Sequence, residues 1–140
     1  MKETLPVFVL DSFAILAAFQ AEPGSRDILS LYNSALDNRV KIYFSWINLG
    51  EVYYISYREL GSNIANEMIK DLKSLPITLC SVTEERILDA AQIKAGYPIS
   101  YADAFAVSLA KEHNATLVTG DPEFAAVESL VHIRWLPKSN

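Results

Sequence analysis

The sequence predicts an α/β domain in which a parallel sheet is covered by helices on both faces. Five short apolar segments typical of strands alternate with segments whose apolar residues recur at helical spacing, and this alternation indicates strands joined by crossover helices. The first strand segment, Val7–Leu10, is apolar at every position, as a central strand buried on both faces should be. With 140 residues, 51% of them hydrophobic, the chain can form one core, so we expect a single domain over residues 1–140.

The first four predicted elements place two helices between the first two strands. The helix after Val7–Leu10 covers Phe13–Gln20 and is broken by the Pro-Gly pair that follows it. Apolar residues at helical spacing then predict a second helix from Ile28 to about Asn38. Lys41–Ser45 has the composition of a second strand.

Two helices and a strand are predicted in the middle of the chain. Trp46–Leu60 is predicted to be helical and is closed by Gly61, a residue type common just beyond helix C-termini. Ser62–Leu75 has apolar residues on one helical face and ends at Pro76, which cannot continue a helix. Ile77–Val82 is the predicted third strand.

The last five predicted elements complete the alternation. Thr83 is a suitable N-cap for a helix that extends to about Ala95, and Ser100 begins another helix that continues through His113. Ala115–Thr119 is the predicted fourth strand, Pro122–Glu128 a short helix, and Val131–Leu136 the fifth strand.

The composition narrows the classes of partner and compartment. The net charge of −5 provides no general attraction to nucleic acid, so a nucleic-acid partner would require a local basic rim or a bound metal ion. Cys80 is the single cysteine, which excludes an internal disulfide and fits a buried position in a reducing cytoplasm. The longest apolar run, Phe13–Phe19, is too short to span a bilayer. We therefore expect a cytoplasmic protein with no membrane partner.

Two carboxylates follow predicted strands, where ligands bind in open parallel sheets. Asp11 comes directly after the first strand and Asp121 comes shortly after the fourth. Each also has a structural alternative, because Asp11 is a good N-cap for the helix at Phe13 and Asp121 suits a turn or N-cap before Pro122. Glu123 is close enough in sequence to assist or replace Asp121.

Two further carboxylates lie on predicted helices. Glu51 has Ile47, Tyr54 and Ile55 one turn away, and Asn48 is the only polar neighbour on that side. A carboxylate on such an apolar stripe is costly to bury without a partner, so a solvated helix face explains it poorly. Asp103 follows Ser100 by three positions, which is the spacing of a capping box, and the cap and site interpretations both stay open.

Together these four carboxylates predict a divalent-metal site. Neighbouring anions raise one another's pKa values, so they could share a pocket only with compensation. Mg²⁺ prefers oxygen ligands, and Mn²⁺ is expected to substitute for it. One cysteine and two separated histidines leave no zinc site.

Four short segments carry these acids in a characteristic order. They are VLDS at 9–12, INLGEV at 47–52, ISYADA at 99–104 and LVTGDPEF at 117–124. In order and spacing they resemble the motifs of the PIN-domain family, and more narrowly those of VapC-type ribonuclease toxins from bacterial and archaeal toxin–antitoxin pairs. The resemblance covers almost the whole chain.

The resemblance implies a three-layer fold with a five-stranded parallel sheet in the order 3-2-1-4-5. It also implies Mg²⁺-dependent hydrolysis of RNA to products with a 5′-phosphate and a 3′-hydroxyl, a homodimer, and a cognate antitoxin that blocks the site. The acidic residues implied to bind metal and catalyse are Asp11, Glu51, Asp103 and Asp121. The residues expected to support them are Ser12, Asn48, Thr119 and Glu123.

Other function classes stay open at this point. A PIN-domain nuclease can act outside a toxin–antitoxin pair, for example in RNA processing, and a non-catalytic acidic α/β binding module would need no intact acidic set. A phosphorelay receiver would require an acidic pair after the first strand and a lysine after the last, where only Lys138 is available. A haloacid-dehalogenase-like phosphatase would require Asp-x-Asp, but position 13 is Phe13. A metal-free ribonuclease would require His113 and His132 to act as an acid–base pair.

Overall fold

Every predicted strand and helix is present in a computed structural model that describes residues 4–138. The strands are β1 (Val7–Leu10), β2 (Lys41–Ser45), β3 (Thr78–Cys80), β4 (Thr116–Thr119) and β5 (His132–Trp135). The helices are α1 (Ser12–Phe19), α2 (Ser25–Leu36), α3 (Trp46–Leu60), α4 (Ser62–Lys73), α5 (Glu84–Gly96), α6 (Tyr101–Glu112) and a 3₁₀ helix (Pro122–Val127).

The five strands form one parallel sheet in the order β3-β2-β1-β4-β5. This is the fold and strand order that the resemblance implies, so that prediction is confirmed. The chain winds outward from β1 to β3, then returns to add β4 and β5 on the other side of β1. The direction of winding therefore changes between β1 and β4, and a crevice opens there at the carboxyl ends of the strands.

The core has two halves, one on each face of the sheet. Val9 and Leu117 face a cluster formed with α5, α6 and the 3₁₀ helix. Leu10, Phe44 and Val118 face the other cluster, formed with α1, α2, α3 and α4. Val9 and Leu10 are both fully buried, which confirms that the apolar first strand is covered on both faces.

Two elements differ in detail from the prediction. The third strand is restricted to Thr78–Cys80 rather than Ile77–Val82, because β3 is an edge strand and only three of its residues pair with β2. The short helix after Asp121 is a 3₁₀ helix that ends at Val127. Cys80 is buried, as expected. Among residues 4–138, none of the helices has the length and apolarity that crossing a membrane requires.

Candidate active site

Five carboxylates line one cleft of about 310 Å³ at the crevice beside β1 and β4. They are Asp11, Glu51, Asp103, Asp121 and Glu123. The other side chains lining this cleft are polar but uncharged or apolar, namely Ser12, Phe13, Leu16, Ile55 and Ser100. Within the part of the chain that the structure describes, the cleft therefore has no cationic side chain to balance the acids.

Asp11 is both a helix cap and a member of the acid cleft. Its side chain is 1% exposed. One carboxylate oxygen, Oδ1, accepts a hydrogen bond from the Ala14 N–H at 2.9 Å and thereby caps α1. Burial is the main reason why the pKa of Asp11 is raised to about 8, and the nearby charges of Asp103 and Asp121 raise it further. The two hydrogen bonds to the carboxylate, from Thr119 and Ala14, act in the opposite direction.

Thr119 connects two of the acidic residues at the end of β4. Its buried hydroxyl donates to Oδ2 of Asp11 at 2.5 Å. The Thr119 hydroxyl oxygen, Oγ1, in turn accepts a hydrogen bond from the Asp121 N–H at 3.0 Å. Thr119 therefore holds the ends of β1 and β4 in a fixed relation, and with them the first and last acids of the sequence.

Asp103, Asp121 and Glu123 form the most compact acidic group of the cleft. Each offers one carboxylate oxygen, and these three oxygens lie within 4.8 Å of one another. Asp121 is also the N-cap of the 3₁₀ helix, because its Oδ1 accepts from the Glu123 N–H at 3.0 Å. This cap turns the chain so that Glu123 faces back toward Asp103.

Asp103 lies in the first turn of α6, where its backbone N–H is capped and its carboxylate faces the cleft. Ser100 caps α6 by accepting a hydrogen bond from the Asp103 N–H at 3.1 Å, while the Asp103 carboxylate lines the cleft. Burial is the largest cause of the rise in the pKa of Asp103 to about 6, and the charges of Glu51, Asp121 and Glu123 add to it. The cap interpretation is therefore confirmed for Ser100, and the Asp103 carboxylate also faces the cleft, where its role as a site residue stays a prediction.

Glu51 is half-buried on α3, and among residues 4–138 it has no hydrogen-bond or salt-bridge partner. One turn earlier, Asn48 is fully buried, and its Nδ2 donates to the Ala102 carbonyl on α6 at 3.1 Å. The Ser12 hydroxyl donates to the Asn48 carbonyl at 3.2 Å. These two bonds connect α1, α3 and α6 and place Glu51 opposite the start of α6.

The donor set fits a hard divalent cation. All five acids offer only carboxylate oxygen, the ligand type that Mg²⁺ and Mn²⁺ favour. The raised pKa values of Asp11 and Asp103 mean that burial and the neighbouring acids disfavour the ionised form of these two carboxylates, and a bound cation would favour it. The histidines do not contribute, because His113 stacks on Tyr43 with ring centroids 4.2 Å apart and His132 begins β5.

Phe13 was not among the residues predicted for the site. Its side chain lines the acid cleft and is 42% exposed. A Cβ at Gly120 would lie 2.3 Å from its Cε1 atom, so the ring lies directly against the backbone of the Asp121 loop. An aromatic residue two positions after Asp11 was the signal available in the sequence, but its pattern assigned Phe13 only to the start of a helix.

The family model of the PIN domain matches residues 8–130. No curated protein matches the chain in sequence. The solved structure of VapBC2 from Rickettsia felis bound to promoter DNA has a TM-score of 0.72 and 18% identity, covering 94% of this chain and 99% of that one.

Two other solved structures are similar. DNA-bound VapBC from Salmonella typhimurium has a TM-score of 0.71 and 20% identity, over 94% of this chain and 98% of that one. VapC20 from Mycobacterium tuberculosis, described as a sarcin–ricin loop cleaving toxin, has a TM-score of 0.67 and 18% identity, over 86% and 94%. At these identities the likeness is one of fold.

Proposed function

Since the chain belongs to the PIN-domain family, we propose that it is a divalent-metal-dependent endoribonuclease and the toxin of a type II toxin–antitoxin pair. The observation that carries this proposal is the gathering of five carboxylates, without a cationic side chain among the described residues, in one cleft of this fold. Such a cleft repels a phosphodiester unless divalent cations reverse its charge.

In the proposed site Asp11, Glu51, Asp103 and Asp121 hold Mg²⁺, for which Mn²⁺ can substitute, and Glu123 assists. When bound, the cation supplies Lewis acidity, which makes water a stronger acid and offsets charge on the phosphate. Thr119 orients the Asp11 carboxylate through its hydroxyl hydrogen bond. Ser100 fixes the first turn of α6 and with it the position of Asp103.

The proposed substrate is RNA in a single-stranded or looped region. Such regions expose bases and backbone that can enter an open cleft, whereas a regular RNA helix presents mainly its shape. The description of VapC20 as a toxin that cleaves the sarcin–ricin loop is consistent with a looped target for this chain.

The proposed partners are a cognate antitoxin and a second copy of the chain, in the cytoplasm. A solved structure of similar fold, from Klebsiella pneumoniae, is described as a toxin–antitoxin complex. Exposed apolar side chains on α3 and α4, among them Tyr54, Tyr57 and Ile64, offer surface for such contacts.

The test is cleavage of single-stranded RNA by the purified protein. We expect cleavage in Mg²⁺ or Mn²⁺ and none in EDTA. Removing a group that only orients a metal ligand lowers activity by about 10–100-fold. Asp103 is itself a proposed ligand, so Asp103→Asn should lower the cleavage rate by about 100-fold or more. Asp71→Asn is the matched control, because it removes an exposed carboxylate of α4 outside the cleft. Equal cleavage in EDTA, or an active Asp103→Asn protein, would refute the mechanism.

The toxin role has a separate test. Expression of the wild-type chain should arrest growth, and co-expression of the proposed antitoxin should relieve the arrest. A chain that cleaves RNA in a metal-dependent manner but leaves growth unaffected would be a PIN-domain nuclease acting outside a toxin–antitoxin pair.

A further inference from the structure

A second pocket, of about 290 Å³, lies beside the acid cleft at the carboxyl ends of β4 and β5. Its lining residues are Gly120, Pro122, Ala125, Trp135, Leu136 and Lys138. Gly120 and Pro122 flank Asp121, so the loop that carries this acid has the acid cleft on one side and the second pocket on the other. We call this second pocket the Trp135 pocket.

The sheet register places Trp135 next to the centre of the acid site. Trp135 pairs with Thr119 across β4 and β5, and the Leu136 N–H donates to the Thr119 carbonyl at 2.8 Å. Neighbouring strands are about 4.8 Å apart. The indole therefore begins one strand away from the residue whose hydroxyl contacts both Asp11 and Asp121.

The ring of Trp135 is available for stacking. The two tryptophans are equally exposed, at 41% each, but Lys73 Nζ lies 5.7 Å from the ring centroid of Trp46. Over residues 4–138, no aromatic ring or cationic group stacks on Trp135. Trp46 therefore has a partner within the fold, and Trp135 presents its ring to a ligand.

The aromatic surface continues from the Trp135 pocket to the acid cleft. Phe13 lies against Gly120 from the acid side, and Trp135 shares the second pocket with Gly120. Lys138 is the cationic side chain of that pocket and is exposed. A flat aromatic ring next to a cation, adjacent to a site for phosphate, has the chemistry that binds single-stranded nucleic acid.

We propose that the Trp135 pocket is a nucleotide subsite, in which a base of single-stranded RNA next to the scissile phosphate stacks on Trp135 and its phosphate contacts Lys138. This inference rests on the proposed nuclease function. An apolar peptide is a poorer occupant for this pocket, because its binding would use neither the Lys138 cation nor the connection to the acid cleft. The enzyme should then favour RNA in which the base next to the scissile phosphate can unstack from the other bases.

The two tryptophans provide a direct binding test. In Trp46→Phe, Trp135 is the only tryptophan, and in Trp135→Phe, Trp46 is the only one. The probe is adenosine 5′-monophosphate with Mg²⁺, because this nucleotide has no internal phosphodiester to cleave. We expect saturable quenching of Trp135 emission and none of Trp46 emission. Equal quenching of both, or of neither, would overturn the subsite.

Cleavage kinetics test the same subsite without fluorescence. Stacking on an aromatic side chain is worth about 1–3 kcal/mol per base, so Trp135→Ala should raise KM for single-stranded RNA by about 5- to 150-fold with little change in kcat. Trp135→Phe should retain most of the affinity, and Trp46→Ala is the matched control with unchanged KM. Lys138→Ala should lower the salt dependence of RNA binding by about one phosphate contact.

The outcomes separate this inference from the proposed function. If the wild type cleaves RNA and Trp135→Ala leaves KM unchanged, the subsite is wrong and the nuclease function stands. If the wild type does not cleave RNA but adenosine 5′-monophosphate quenches Trp135 alone, the nucleotide subsite stands and the nuclease function fails. If Trp135→Ala weakens binding of a partner protein and leaves RNA kinetics unchanged, the pocket is a protein contact and the inference is overturned.

Discussion

Asp11 is held by two hydrogen bonds that serve different parts of the molecule. The bond from the Ala14 N–H caps α1, and the bond from the Thr119 hydroxyl connects β1 with the loop of Asp121. Neither bond supplies a full positive charge, so the ionised form of this buried carboxylate is not compensated within the protein. The fold thus tolerates an unfavourable carboxylate at the position where a cation would bind.

The pH dependence of the metal-free protein follows from this residue. Below pH 4 Asp11 is protonated in both the folded and the unfolded state. Between about pH 4 and pH 8 the unfolded chain ionises while the folded one retains the proton, so the free energy of unfolding should fall as pH rises. Asp103, with its pKa raised to about 6, should contribute to the lower half of this window.

The measurement is thermal unfolding in EDTA from pH 5 to pH 8. Asp11→Asn keeps the shape of the side chain and removes its charge, so the stability of this variant relative to the wild type should rise from pH 5 to pH 8. It should also be inactive in the RNA assay. If the stability of Asp11→Asn relative to the wild type does not rise from pH 5 to pH 8, burial of the Asp11 carboxylate is not the cause of the pH dependence.

At the level of elements, the sequence predicts the strands and helices well because their periodicity is local. Hydrophobic spacing and caps such as Thr83 and Gly61 set most boundaries within a few residues. β3 is shorter than predicted because pairing with β2 decides where an edge strand ends. Ile77 and Val82 have the composition of a strand, but they are not paired with β2.

A hydrogen bond from one buried side chain joins α3 to α6. Asn48 Nδ2 donates to the Ala102 carbonyl, one residue before Asp103, and Asn48 lies one helical turn before Glu51. Its Oδ1 atom is buried without a hydrogen-bond partner among the described residues. An unsatisfied polar atom is unfavourable, so we infer that Asn48 is a positioning residue that sets the separation of Glu51 and Asp103.

Asn48→Ala should therefore lower metal affinity as well as stability. The Ala102 carbonyl keeps its hydrogen bond within α6, so loss of the Asn48 bond costs only about 0.5–1.5 kcal/mol of stability. The same loss loosens Glu51 and Asp103, which should lower Mn²⁺ affinity about 10–100-fold. Ser108→Ala is the matched control, because the Ser108 hydroxyl donates to Asp89 at 2.6 Å between α6 and α5, away from the cleft. Calorimetric Mn²⁺ titration should show weaker binding by Asn48→Ala than by Ser108→Ala. Equal Mn²⁺ affinity in the two variants would contradict a positioning role for Asn48.

At the scale of the whole molecule, the site is assembled from segments far apart in sequence. The strand-end rule predicted Asp11 and Asp121, and the lack of a structural use for its charge predicted Glu51. Distances could not be predicted, so Glu123 was assigned only a supporting role, although its carboxylate lies in the most compact acidic group. The position of Trp135 beside Thr119 depends on the order of the strands, which local pattern does not contain.

Because the acids come from the β1–α1 junction, from α3 and α6, and from the loop and 3₁₀ helix after β4, a bound cation should stabilise the fold as a unit. A ligand that binds only the folded state adds RT ln(1 + [L]/Kd), which is about 2.7 kcal/mol at 100 times Kd. For a chain of this length that corresponds to a rise of several degrees in Tm, measured with Mn²⁺ against EDTA.

This stabilisation should be larger at pH 8 than at pH 5, since protons compete with the cation for Asp11 and Asp103. It should be retained in Asp71→Asn and absent in Asp103→Asn combined with Asp121→Asn, which removes two of the three closest oxygen donors. A rise in Tm of the same size in the double variant would place the cation elsewhere. Because the readout is unfolding, this result would count against the metal site independently of any RNA substrate.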